Sequence, residues 1–356
     1  MKKSILKYKK YILLIIAVCI PLVLIFTINT SKSKLIINEI NKERTKEGVF
    51  RVWNNKIHEV TSKKGKEQVI KATKAKLANF ELSDTEISNW HQKFREIGTD
   101  EQREINIIIV PDFSNRLTVI PNTPERDIEI ISKIYEVFFD KMRKNKAVGK
   151  IAIEVTDKNQ AGGIFSKMAD SLVIDINDKN NEQNRKFILS KEGAFKTNIK
   201  KLYAYAIDNI SGADYVLYFK RNINDRIKRS TIEREVINKI VILTDGYLET
   251  NETNYTKIHR TMKNAVDDGW IEDYLKRANL SIPSNNIDLS NSDILVLEVT
   301  ERDEGIGWHK EILESYWREW FKSMNVRNIN KKESFFISSE NSPSQVKELV
   351  QKFIDK

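Results

Sequence analysis

Four side chains with chemical capacity crowd into one short stretch: Asp112, Ser114, Asn115 and Arg116 in IVPDFSNR. A carboxylate and a hydroxyl two residues apart suit a hard divalent cation, which takes oxygen ligands, whereas a guanidinium offers five donors and no lone pair. A second carboxylate, Asp245, follows in ILTDGY, with Gly246 freeing the backbone to turn. Between them Thr197, in FKTNI, supplies a hydroxyl at the start of a helical pattern.

Both carboxylates sit where strands end. Ile105 to Val110, interrupted only by Asn106, is an apolar β-branched run long enough for a buried strand, and Pro111 cannot donate to a ladder. Lys239 to Thr244 repeats the design ahead of Asp245. Binding groups of open α/β sheets lie beyond the carboxyl ends of strands, so the two runs deliver Asp112 and Asp245 to one end of one sheet.

The elements between them alternate. A helix opened by Thr123-Pro124-Glu125 buries Ile131, Tyr135, Phe138 and Met142. Strand-like runs at Lys150 to Thr156 and Ser171 to Ile176 lack a long crossover helix and read as an antiparallel edge hairpin. A short helical piece near Phe187, a helix from Asn198 and another over Tyr215 to Lys228 precede the Asp245 strand. Beyond it come a helix around Thr256 to Val266, a strand Ile294 to Val299, a helix Trp308 to Met324, a strand Ser334 to Ser338 and a last helix capped at Ser342. Such alternation implies a mostly parallel, doubly wound sheet with one antiparallel edge strand. The stripe Leu313, Trp317, Trp320, Met324 reads as the buried face of its helix.

In order, Asp112-x-Ser114-x-Arg116, Thr197-Asn-Ile and Thr244-Asp245-Gly246 resemble the metal-ion-dependent adhesion site of the von Willebrand factor A (vWA) family, and the element order over Glu104 to Lys356 is similar to the vWA fold. The resemblance implies Ser114 and Thr197 as direct ligands of Mg²⁺ (or Mn²⁺ or Ca²⁺), Asp112 and Asp245 as ligands through water, and an open position that takes an acidic side chain of a protein partner. Asn115, Arg116 and Gly246 would form the rim. Arg116 stands where the family has its second serine. An inward Arg116 pairs with Asp112 or Asp245 and replaces the ion; an outward one leaves a metal site with a cationic rim.

Before the sheet, residues 1–10 form a basic tail with Lys2, Lys3, Lys7, Lys9 and Lys10, and Tyr11 to Ile28 carry no charge. That run nears the ~20 residues a membrane-spanning helix needs, and lacks an Ala-x-Ala cleavage pattern after it. Residues 11–30 are therefore expected to be a retained single-pass anchor, with the N-terminus cytoplasmic and the main domain outside, periplasmic or extracellular in a bacterium. Residues 31–103 read as a helical stalk: Ile70, Thr73 and Leu77 share a face, and Ser83 to Glu86 is a capping box. Its lysines, Lys63 to Lys76, read as a solvated face. Residues 104–356 form the vWA-like domain.

Composition narrows the classes. The charge of +10 owes half its value to the basic tail, and no basic face with interleaved aromatics marks a nucleic-acid surface. The lone Cys19 forms no internal disulfide, and His58, His91, His259 and His309 lack zinc spacing. A hydrolase using Asp112 as nucleophile wants an acid/base carboxylate two residues on, where Ser114 stands. The expected function is therefore a non-enzymatic, membrane-anchored binding module; a phosphatase-like hydrolase using Asp112 and Asp245 and a structural membrane-complex component are the alternatives.

Overall fold

A computed structural model describes residues 32–98, 103–145, 147–156, 163–177, 179, 182–210, 212–250, 253–302, 307–329 and 335–355. The basic tail and the anchor expected at residues 11–30 lie outside the described residues. Among the described residues no helix is long and apolar enough to cross a membrane. The chain divides into two compact units, Met1–Gln102 with Ser230–Glu235, and Arg103–Arg229 with Val236–Lys356.

The first unit is helical: α1 (32–42), α2 (Lys46–Lys56), α3 (Lys63–Leu77) and α4 (Asp84–Glu96). Ser83 and Glu86 form the expected reciprocal cap, the Ser83 amide donating to Glu86 at 2.8 Å. Ile40, Val49, Val69, Leu77 and Phe94 form a core completed by Ile232 from the inserted hexapeptide. Three of the α3 lysines do more than meet solvent. Lys66, Lys74 and Lys76 donate to the carbonyls of Ile97, Glu233 and Asn41 at 2.9 to 3.0 Å.

The second unit is an α/β domain with a six-stranded sheet ordered β3-β2-β1-β4-β5-β6. Its strands are β1 (Glu104–Pro111), β2 (Gly149–Ile153), β3 (Ile174–Ile176), β4 (Val236–Leu243), β5 (Ser292–Val299) and β6 (Phe336–Ser338). All neighbours are parallel except β2 and β3, the expected antiparallel edge pair. Among the described residues their connection carries only the short α7 (Gly163–Asp170).

Beyond Glu104 the β1 run is apolar except at Asn106 because both of its faces are covered. Ile105, Ile107 and Ile109 pack with α6 (Thr123–Asn145), α9 (Glu192–Asp208) and α14 (Pro343–Asp355). Ile108 and Val110 pack with α10 (Tyr215–Arg226) and α13 (Trp308–Ser323). Asn106 fits the interior because its register partner is Asn238, whose Oδ1 accepts its amide at 2.8 Å. The four residues of the α13 stripe are all buried, as the spacing predicts.

Three expectations shift. The helix expected over Thr256 to Val266 is a 3₁₀ turn at Arg260–Met262 followed by α11 (Lys263–Asp267). Thr256 is buried instead, its hydroxyl accepting the Leu248 amide at 3.0 Å, which holds the segment in a loop. The short α12 (Ile271–Arg277) follows, unannounced by the sequence pattern, and α9 begins at Glu192, so Thr197 is inside a helix rather than at its start. The remaining short helices are α5 (Arg116–Val119) and α8 (Glu182–Ser190).

Candidate functional site

The central strands β1 and β4 end side by side, with Pro111 in register with Leu243. Here the chain order reverses direction across the sheet: β1 leads outward to β2 and β3, β4 to β5 and β6. Such a switch point opens a crevice at the carboxyl ends of the strands. The crevice, about 870 Å³, is lined by Asp112, Ser114, Asn115, Arg116 and Asp245 among others. Five of the seven residues singled out in the sequence thus meet there.

The other two do not line it. Thr197 is exposed on α9, away from the crevice lining. Gly246 is buried beneath, at φ +97°, where a β-carbon would meet Val299 at 3.2 Å and Phe336 at 3.3 Å. Its carbonyl accepts the Trp317 indole N–H at 2.8 Å, so this glycine serves packing of α13 against the strand end.

Every carboxylate in the crevice floor has partners. Asp112 accepts the Ser114 amide on Oδ1 at 2.9 Å and the Thr244 hydroxyl on Oδ2 at 3.1 Å. Asp245 accepts the Tyr247 amide on Oδ1 at 3.2 Å, while its Oδ2 receives Nε and a terminal nitrogen of Arg302 at 3.2 and 3.1 Å. Arg302 also pairs with Glu249, and its guanidinium stacks 4.1 Å from the Tyr247 ring centre. Burial, and then Asp112, push the Asp245 carboxyl above its ordinary range, against Arg302, which holds it down.

Arg116 points inward. Its Nε donates to the Asp112 carbonyl at 3.0 Å and lies 3.8 Å from Asp112 Oδ2, and a terminal nitrogen donates to the Leu243 carbonyl at 3.1 Å. Its closest ion-pair partner is neither carboxylate expected from the sequence but Asp127 on α6. Burial works against the guanidinium's charge, but Asp127 and Asp112 outweigh it and hold the proton more firmly than in water. Tyr203 of α9 donates to the same Asp127 oxygen at 2.9 Å, and Asp127 Oδ1 has no hydrogen-bond partner. Asp127 is the residue of this network that the motif does not contain; the sequence clue to it is a carboxylate in the opening turns of the helix that follows the Asp112 loop.

Burial pushes the Asp127 carboxyl up to about 6, against the pull of Arg116. Between the unfolded carboxyl near 3.8 and the folded value near 6 the folded state binds more protons, so Asp127's contribution to stability falls as pH rises through that window and is flat above it. Urea unfolding from about pH 4 to about pH 8 should show this decline in the wild type and not in Asp127→Asn. Parallel pH profiles for the two proteins would show that Asp127 titrates alike in the folded and unfolded chain.

Cations are also found on the crevice wall. Lys220 and Arg221 of α10 are exposed and make no ion pair or hydrogen bond with any described residue. Val119, at the end of α5, is 74% exposed and lines the same crevice. Glu301, from the acidic loop after β5, faces neither: it accepts the amides of Gly307 and Lys310 and caps α13. Asp303 and Glu304 of that loop lie outside the described residues.

Among the described residues no three His, Cys, Asp or Glu side chains gather as a metal-ligand set. Compared with known proteins, the chain matches no family model, no curated protein and no solved structure.

Proposed function

We propose that the second unit is a protein-binding module of vWA-like design, taking an acidic group of a partner into the crevice at the β1/β4 switch point without a divalent cation. The sheet order with its antiparallel edge pair supports the vWA resemblance. The donor set speaks against Mg²⁺. Both Asp112 oxygens and both Asp245 oxygens already accept hydrogen bonds, and Thr197 stands on the outside of α9. A cation beside Asp112 would also face the buried Arg116.

The observation that carries the reading is the pair Lys220 and Arg221, unpaired on the wall of a crevice whose own carboxylates are engaged. An incoming carboxylate meets free charge there, and exposed Val119 offers apolar contact in the same crevice. A hydrolase reading is weaker, since Asp112 as nucleophile would have to give up the Thr244 hydroxyl bond at 3.1 Å. The apolar run of residues 11–28 would hold this module at a membrane.

A photo-crosslinking amino acid at Val119 in the full-length chain tests this in cells. A specific adduct is expected that survives chelation of divalent ions and is lost in the Lys220→Glu, Arg221→Glu double variant. Adducts lost on chelation would restore the metal reading. Adducts no different from those of a crosslinker at exposed Lys276, which does not line the crevice, would remove the crevice as a binding site.

A further inference from the structure

α10 has a second groove on its other flank. It measures about 380 Å³ and is lined by Lys150 and Glu154 of β2 and the segment after it, by Ser166 of α7, and by Tyr218, Arg221 and Asn222 of α10. Helical spacing sorts the α10 side chains between the two hollows, since residues four apart share a face. Val216 and Lys220 line only the crevice, Tyr218 and Asn222 only the groove, and Leu217 and Arg221 line both. The two hollows therefore share one wall, whose crest is the Leu217 and Arg221 pair.

Two features of the groove lack an occupant. The Tyr218 hydroxyl is buried with no hydrogen-bond partner, a costly state for a polar group away from water. The side chains of Lys150, half-buried, and of Asn222 and Asp170, exposed, make no hydrogen bond or ion pair with any described residue, whereas Glu154 is already paired with Arg226 at 2.8 Å. Unused donors thus run in one series from Lys220 over Arg221 to Asn222, Tyr218 and Lys150.

We infer that the partner segment is an extended acidic peptide that enters the crevice, crosses α10 over Leu217 and Arg221, and ends in the second groove, where a carboxylate or carbonyl oxygen accepts the Tyr218 hydroxyl. This rests on the reading of the crevice as a partner site and specifies its ligand. A helix with its side chains is ~10–12 Å across and an extended residue covers ~3.3 Å, so about four residues make the crossing. Acidic residues on both sides of that span would meet Lys220 and Arg221 at one end and Lys150 at the other.

The test uses the full-length chain with a photo-crosslinker at Val119 or, separately, at Asn222, and maps the captured partner peptides. Both positions should capture one contiguous acidic stretch of one partner. Capture from Val119 alone would overturn the second groove and leave the crevice reading standing; an acidic segment captured from neither would end both. Tyr218→Phe supplies a second readout. It should raise the melting temperature, because an unsatisfied buried hydroxyl is removed, while lowering capture at Asn222 by about three- to tenfold through a lost hydrogen bond. A raised melting temperature with unchanged capture would show that the hydroxyl has no part in binding.

Discussion

Arg116→Ser should destabilise the second unit by ~3–5 kcal/mol, as expected when one partner of a buried ion pair is removed and the other remains. Three groups would each lose one donor at once: the Asp127 carboxylate, left with the Tyr203 hydroxyl, and the carbonyls of Asp112 and Leu243. Urea unfolding of the full-length chain, followed by indole fluorescence, would measure it. Arg116→Ser combined with Asp127→Asn should recover part of the loss, because the neutral amide no longer needs a counter-charge; a coupling of ~0.5–3 kcal/mol is the range for residues in one network. Mg²⁺ should leave the wild-type melting temperature unchanged, since a ligand that does not bind the native state cannot stabilise it. A loss below ~1 kcal/mol in Arg116→Ser would be surface-like and would contradict the buried pairing.

Trp317→Ala should be comparably severe, ~3–5 kcal/mol, for a different reason. The side chain is fully buried in the core between sheet and α13, edge-on to Tyr215 at 5.8 Å. Its removal opens a cavity and also strips the Gly246 carbonyl of its donor, at the turn that carries Asp245. Trp317→Phe separates the two effects: most of the packing remains, but the carbonyl is left unsatisfied, for a loss of ~1–3 kcal/mol. If Trp317→Ala melts like wild type, the indole is not a core element and the stripe on α13 would have to be reassigned to an interface.

The parts of this molecule written in local sequence were the ones that period and chain chemistry control. The β-branched run ending at Pro111, the edge hairpin and the α13 stripe each follow from patterns within a few residues. The start of α9 escaped because Thr197 looks like a cap, yet a helix already running from Glu192 carries it through. The role of Arg116 was half legible. Its chemistry demanded a carboxylate, but Asp127 is 11 residues away on another helix, and only the packing of α6 behind the Asp112 loop brings them together. Likewise, nothing in the periodicity of α3 says that Lys74 reaches the carbonyl of Glu233. Long-range polar pairing has no sequence period, so pattern reading passes over it.

The hexapeptide Ser230–Glu235 has a bearing on synthesis order. Ile232 is part of the core of the first unit, and Arg95 and His91 bond to Glu235 and Thr231, although the rest of that unit ends at Gln102. A nascent chain emerging from the ribosome has made α1 to α4 well before it has made this insert. Until β1 to β3 and α10 have been translated the helical unit lacks Ile232, so its core is completed only by a segment made much later. For the same reason a fragment ending near residue 102 carries an open hydrophobic socket, and adding the hexapeptide in trans is the simplest way to ask how much of the unit's cooperativity it supplies.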